Sequence, residues 1–256
     1  MKLIMYVVFS AWAASSLVGC TDDNNSSGAS HASFAYTGDT GPGFWAELDE
    51  ANASCLTDTR QSPIDITHPV ADGSLTALVL DLHETAIHMI NNGHTLELEY
   101  HEGSTLTLGG VAYDLLQFHF HTLSEHAING ERGAMELHAV FKDVTTGKLA
   151  VMGMLFNVGA ENAFLAELIG HLPTKSGEVD ESEAEINLAD ALTDTSAYYT
   201  YDGSLTTPPC SPIVTWIVLK NAATLSSTQF DAFREITGNN FRPLQDRNGR
   251  EVRATP

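Results

Sequence analysis

The stretch QFHFH, residues 117–121, decides how the middle of this chain is read. On a strand, successive side chains point to opposite faces. His119 and His121 then share one face, and Phe118 and Phe120 the other. The phenyl rings suit a core. Two bases on the opposite face need a chemical reason, and the surrounding sequence is where to find it.

Outward from this stretch, strand signals dominate. HTLELEY, STLTL, YDLLQFHFH, MELHAVF and LAVMGMLFNV alternate or are rich in β-branched and aromatic residues, with EGS and GG as turn punctuation. IVTWIVLK reads as a buried strand. Helical spacing is confined to ENAFLAELIGHL, ended by Pro173, and SSTQFDAFREITG. In the latter, Ser226 precedes Gln229 by three, a capping-box arrangement, and Gly238 closes the segment. The expected class is mainly β with a few short peripheral helices. The acidic run GEVDESEAEINLADALTD reads as a surface excursion, and no internal repeat is evident.

His138 lies in MELHAVF, seventeen residues after His121. Gly130 and Gly133 in the intervening segment let the chain turn back, so two antiparallel strands would bring His138 to the face of His119 and His121. Three neutral imidazoles on two rigid strands make a zinc site with one tetrahedral position open. A structural site would be closed by a fourth ligand, usually Cys. Gln117 and Glu136 each sit two residues before a histidine, on the same face. They can accept the remaining ring N–H of His119 and His138. An H-x-H pair alone is ambiguous; His138 and the two acceptors make it a metal site.

The chain has 256 residues, 43% of them hydrophobic, enough for a sizeable core. Its 33 acidic and 12 basic residues leave a net charge of -21. A surface that negative repels nucleic acid and anionic membranes, which excludes both as partners.

The opening MKLIMYVVFSAWAASSLVGC has a positive start and an apolar run too short for a membrane span. Residues 1–19 read as a signal peptide. The ending LVGC resembles a bacterial lipobox, which would make Cys20 the lipid-bearing first residue; an ordinary secretory signal cut nearby is the other reading. Either way the protein is expected to be exported, periplasmic or cell-surface, and to touch a membrane only through its anchor. Residues 20–33 read as a flexible tether, and 34–256 as a single domain. With Cys20 lipidated, Cys55 and Cys210 remain to pair in an oxidising compartment. A bridge closing about 155 residues would stabilise by roughly 4–5 kcal/mol in the chain-entropy account.

QFHFH, SEH, ELH, GSLTTPPC and VTWIVL, with YTGDTGPGFWAEL, QSPIDI, NNGH and NFRPLQ in the same order, resemble the α-class carbonic anhydrases. The resemblance covers essentially everything after the tether. It implies a large twisted, mostly antiparallel central sheet with short helices at its edges. It also implies reversible hydration of carbon dioxide to bicarbonate and a proton by zinc-bound hydroxide, with a histidine proton shuttle, and susceptibility to sulfonamide-type inhibitors. By resemblance, His119, His121 and His138 hold the zinc. Thr206 donates to Glu125 and orients the nucleophile, since an ionised carboxylate can only accept. Val140, Val151, Leu205, Val214 and Trp216 match the apolar wall where carbon dioxide rests; for Val214 and Trp216, ordinary core packing is the other reading. His94 holds the shuttle position, and its unperturbed pKa near 6.5 suits it. Tyr36, Asn92 and Thr207 match residues ordering the connecting waters, and His126 matches a structural histidine.

Three departures stand out. Thr122 and Leu123 replace the Trp-Gly of animal members, and bacterial relatives carry a proline where this chain has Leu123. Glu97 replaces a neutral polar residue near the water network and is expected to alter turnover rather than the reaction. Other readings are a zinc esterase or hydrolase, although no H-E-x-x-H helix is present, and a catalytically silent binding module on the same fold. Loss of a ligand would be the simplest mark of the latter, and none is lost.

Overall fold

A computed structural model describes residues 33–256 of the chain. The expected signal peptide, Cys20 and all but the last residue of the tether lie outside the described residues.

A twisted mixed sheet organises the described chain. From one edge its main strands run Val179–Ile186, Thr85–Asn91, Leu96–Glu99, Val111–Thr122, Met135–Lys142, Leu149–Val158, Val214–Leu219 and Tyr198–Gly203, continued by Arg253–Ala254 and Val70–Ala71. Most neighbours are antiparallel, as expected. Leu149–Val158 and Val214–Leu219 pair in parallel, which requires a long crossover between them. That crossover contains the helix Ala163–Ile169, the edge strand Val179–Ile186 and the strand Tyr198–Gly203.

The strand Val111–Thr122 separates the sheet's two faces. Phe118 and Phe120 are fully buried in the larger apolar core with Leu137, Met152, Met154 and Ile217. The two longer helices cover this side: Phe118 packs on Phe164 at 5.7 Å and Phe120 on Phe233 at 4.7 Å between ring centroids. The helix Ser227–Thr237 begins with the expected capping box between Ser226 and Gln229 and closes at Gly238, where φ is 63°. The helix Ala163–Ile169 is capped by Asn162 and stops at Gly170, before Pro173.

On the opposite face, register lines residues up across strands. Glu97 pairs with His119, His119 with His138, and His138 with Gly153. A second row runs Glu99, Gln117, Val140, Val151, Trp216. Gly153 must be glycine for space: a Cβ there would meet Glu136 Oε1 at 2.6 Å.

One expectation is corrected. The acidic stretch read as a surface excursion supplies the edge strand Val179–Ile186, hydrogen-bonded to Thr85–Asn91. Pairing needs only backbone groups, so its side chains are free to be acidic, and charge on an edge strand discourages pairing with another molecule.

Candidate metal centre and active site

His119, His121 and His138 each bring one ring nitrogen to within 4.8 Å of the other two. The expected antiparallel turn-back is what joins them, with His138 directly opposite His119. His119 Nδ1 lies 2.9 Å from Gln117 Oε1. His121 Nδ1 lies 2.6 Å from the Asn240 carbonyl. His138 contacts Glu136 Oε1 through Nε2 at 3.0 Å. His119 and His121 therefore each have one nitrogen held by an acceptor, while His138 Nε2 lies against the Glu136 carboxylate without an aligned hydrogen bond. His121 Nε2 is buried and has no hydrogen-bond partner, an orphan that a buried polar atom rarely tolerates.

Electrostatics suit the same use. Burial holds the His119 pKa well below its ordinary value, helped by His121 and His138. Burial also brings His121 down to about 4 and lowers His138. The imidazoles are thus neutral near pH 7, the form that ligates a metal. Three convergent neutral nitrogens, joined among the described residues by no cysteine and no fourth protein ligand, fit a zinc ion with an open coordination position.

Glu136 organises what lies behind. Its Oε2 accepts the backbone N–H groups of Glu125 and His126, each at 2.8 Å, and its Oε1 meets His126 Nδ1 at 2.8 Å. Burial pushes its pKa up, but His126 and His138 outweigh this and hold it well below the usual range. His126 Nε2 lies 2.8 Å from the Tyr201 hydroxyl, itself 3.0 Å from Ser62 Oγ. Both nitrogens of His126 are thereby occupied, as a structural role requires.

Glu125 is fully buried beside the ligands, with Oε2 3.6 Å from His121 Nε2 and 4.0 Å from His138 Nδ1. Its Oε1 accepts the Arg242 backbone N–H at 2.7 Å. Burial raises its pKa, while His138, the nearby Thr206 hydroxyl and the Arg242 amide pull it back. Thr206 lies on the loop after Tyr198–Gly203. That loop is tied down by the disulfide between Cys55 and Cys210, with Cα atoms 4.9 Å apart, and by Gln61, which donates to the Cys210 carbonyl.

Val140, Val151, Leu205, Thr206, Thr207 and Trp216 line a cavity of about 260 Å³ above the histidines. That is below the roughly 300 Å³ at which drug-sized pockets begin, so a small substrate is favoured. Val214 is not among the lining residues; it packs behind them in a core cluster with Val151 and Trp216, in keeping with the core reading for that residue. Trp216 does both, lining the cavity while buried and donating to the Ser204 carbonyl.

Tyr36, Asn92 and His94 line the same cavity, with Phe34, Thr95 and Glu97. His94 stacks on Phe34 with ring centroids 3.8 Å apart. Burial lowers the His94 pKa and raises that of Tyr36 well above its ordinary value, with the Glu125 charge adding to the latter. The Leu123 departure is not among the residues lining the cavity; Leu123 is exposed, and the Thr122–Leu123 peptide is cis.

Residues 40–256 match the family of eukaryotic-type carbonic anhydrases. The chain belongs to that family. It is 36% identical over 238 residues to a carbonic anhydrase of Neisseria gonorrhoeae, covering 92% of this chain and 93% of that one. The solved structure of a hyperthermostable carbonic anhydrase from a hydrothermal vent chimney is similar at a TM-score of 0.84 and 36% identity, over 88% of this chain and all of that one. A carbonic anhydrase from Thermovibrio ammonificans, solved with the inhibitor sulfanilamide, is similar at a TM-score of 0.83 and 36% identity, over 86% of this chain and 98% of that one. The protein is an enzyme of this carbonic anhydrase class, whose members use zinc.

Two parts of this carbonic anhydrase escaped the reading of its sequence. Asn240 accepts from His121 through its carbonyl and from the Thr122 amide through its side chain, and donates to the carbonyls of His94 and Phe120. Arg242 holds Glu125 through a backbone amide. Both lie in NNFRPLQ, but backbone donors and acceptors leave no mark in a sequence.

Proposed function

We propose that His119, His121 and His138 hold zinc and that the chain catalyses reversible hydration of carbon dioxide to bicarbonate and a proton. The observation that carries this reading is the set of three neutral imidazoles, one with an orphan nitrogen, beneath an apolar-walled cavity. Zinc held there supplies a Lewis acid that lets bound water ionise near neutral pH, an effect for which carbonic anhydrases are the standard example.

The chain's own residues do the rest. Glu125 cannot donate when ionised, so the Thr206 hydroxyl donates to it and turns its lone pairs to the reacting water. Val140, Val151, Leu205 and Trp216 offer carbon dioxide a surface that does not compete for hydrogen bonds. Gln117, the Asn240 carbonyl and Glu136 fix the three ring orientations. His94 receives the outgoing proton through waters ordered by Tyr36, Asn92 and Thr207 and passes it to buffer. Ester hydrolysis would be incidental in so small a pocket, and a silent binding role is disfavoured by the presence of Glu125 and Thr206 with all three histidines. A sulfonamide inhibitor is expected to bind here; the Thermovibrio ammonificans relative was solved in complex with the inhibitor sulfanilamide.

The test is zinc content of the purified protein with carbon dioxide hydration measured with and without an aromatic sulfonamide. One zinc per chain and sulfonamide-sensitive hydration are expected; stoichiometric zinc without hydration would overturn the reading. His94→Ala should slow turnover in weak buffer and be rescued by imidazole. Export and a lipid on Cys20 complete the proposal, supported by the N-terminal sequence. Labelling with a palmitate precursor should mark the wild type and not Cys20→Ser.

A further inference from the structure

Glu97 has no part in the chemistry above, yet it stands in the active-site cavity. It is directly opposite His119 in the cross-sheet row that continues to His138. Its side chain is half-buried, and Oε2 is approached by Asn92 Nδ2 at 3.5 Å. Among the described residues, Glu97 is the sole carboxylate lining the cavity, and no Lys or Arg lines it. Among the described residues no cation forms an ion pair with it, and the neighbouring charge in the adjoining row is Glu99, of the same sign. The wall charge is therefore uncompensated by the protein.

The consequence depends on the charge of what enters. Carbon dioxide is neutral and feels little of it. Bicarbonate, and small monoanions that compete for an open metal position, must sit in the same cavity as the carboxylate. A like charge in a narrow, partly desolvated cleft acts over several ångströms and is weakened by salt. Resting on the zinc reading above, we propose that Glu97 is a selectivity residue: a fixed negative charge that keeps monoanions, bicarbonate included, from occupying the site while leaving carbon dioxide entry untouched. It cannot move the reaction's equilibrium; it lowers occupancy by product and by inhibitory anions.

The experiment uses the zinc-loaded full chain as wild type, Glu97→Gln, Glu97→Lys and Glu97→Asp. Thiocyanate and bicarbonate binding are titrated by calorimetry across pH, so that each affinity is corrected for the fraction of enzyme able to bind. Glu97→Gln should bind both anions roughly three- to tenfold more tightly at low salt, Glu97→Lys more tightly still, and Glu97→Asp like the wild type. The differences should shrink as ionic strength rises. Equal affinities in wild type, Gln and Lys variants, with zinc and hydration intact, would overturn the inference alone. Tightening in the Asp variant equal to that in Gln would overturn it too, because shape and not charge would then be responsible. A wild type that holds no zinc or hydrates no carbon dioxide would instead defeat the reading on which it rests.

Discussion

His121 and His126 lie five residues apart, both fully buried and both beside a glutamate. His126 has both ring nitrogens occupied, by Glu136 and by Tyr201. His121 has one nitrogen on the Asn240 carbonyl and leaves the other bare beside Glu125. One histidine is closed and the other open. Burial alone says nothing about which is which: a buried imidazole with two partners is part of the frame, and one with a single partner is waiting for a ligand. Glu136 links the closed histidine to the open cluster, since one of its oxygens touches both His126 and His138.

The contrast breaks most sharply at the open histidine. His121→Ala should lose stoichiometric zinc and cost at least about a thousandfold in carbon dioxide hydration, as removal of one of three ligands implies. The metal-free variant should unfold in denaturant close to the metal-free wild type. Retained zinc at full occupancy would show that the orphan nitrogen is not a ligand.

His126→Ala should behave in the opposite way. It strips partners from Glu136 and Tyr201 and leaves a void, a loss of about 2–4 kcal/mol in chemical denaturation. Zinc should still bind the folded protein. A smaller stability loss than in His121→Ala would erase the distinction drawn here.

Glu136→Gln tests the link. Losing the charge that orients His138 should weaken zinc affinity by about 10- to 100-fold, read by competition with a chelator. It should also lower stability, because the carboxylate anchors the Glu125 and His126 amides.

The smallest effect is a pH dependence of the metal-free protein. Unfolded histidine takes up a proton below about 6.5, whereas burial keeps folded His121 unprotonated down to about 4. The unfolded state therefore binds more protons in that window, so stability is full above about 6.5 and falls as pH drops toward 4. The slope from this group approaches 1.4 kcal/mol per unit. Zinc should raise the curve without flattening it, since the bound metal keeps the folded nitrogens unprotonated while the unfolded chain still takes up protons. A metal-free protein equally stable at pH 7 and 4.5 would contradict the burial of His121.

Much of this was legible because it is periodic or local. The two-residue alternation of QFHFH sets phenyl rings against imidazoles, and the strand Val111–Thr122 has that arrangement. Ser226 and Gln229 announce their cap. Gly130 and Gly133 permit the turn that places His138 opposite His119. The acidic edge strand was not legible, because its pairing runs through backbone groups that every sequence carries.

What the sequence determined by itself was which side chains are available and which faces they take along each strand. Those are consequences of chirality and of a period of two, and they hold wherever the strand ends up. Only the tertiary structure decided which nitrogens are left without partners. Asn240 reaches His121 across 119 residues and Arg242 reaches Glu125 across 117, both through main-chain atoms. It likewise decided that Glu97 shares a row with His119, because register between strands is a property of the packed sheet and not of either strand alone.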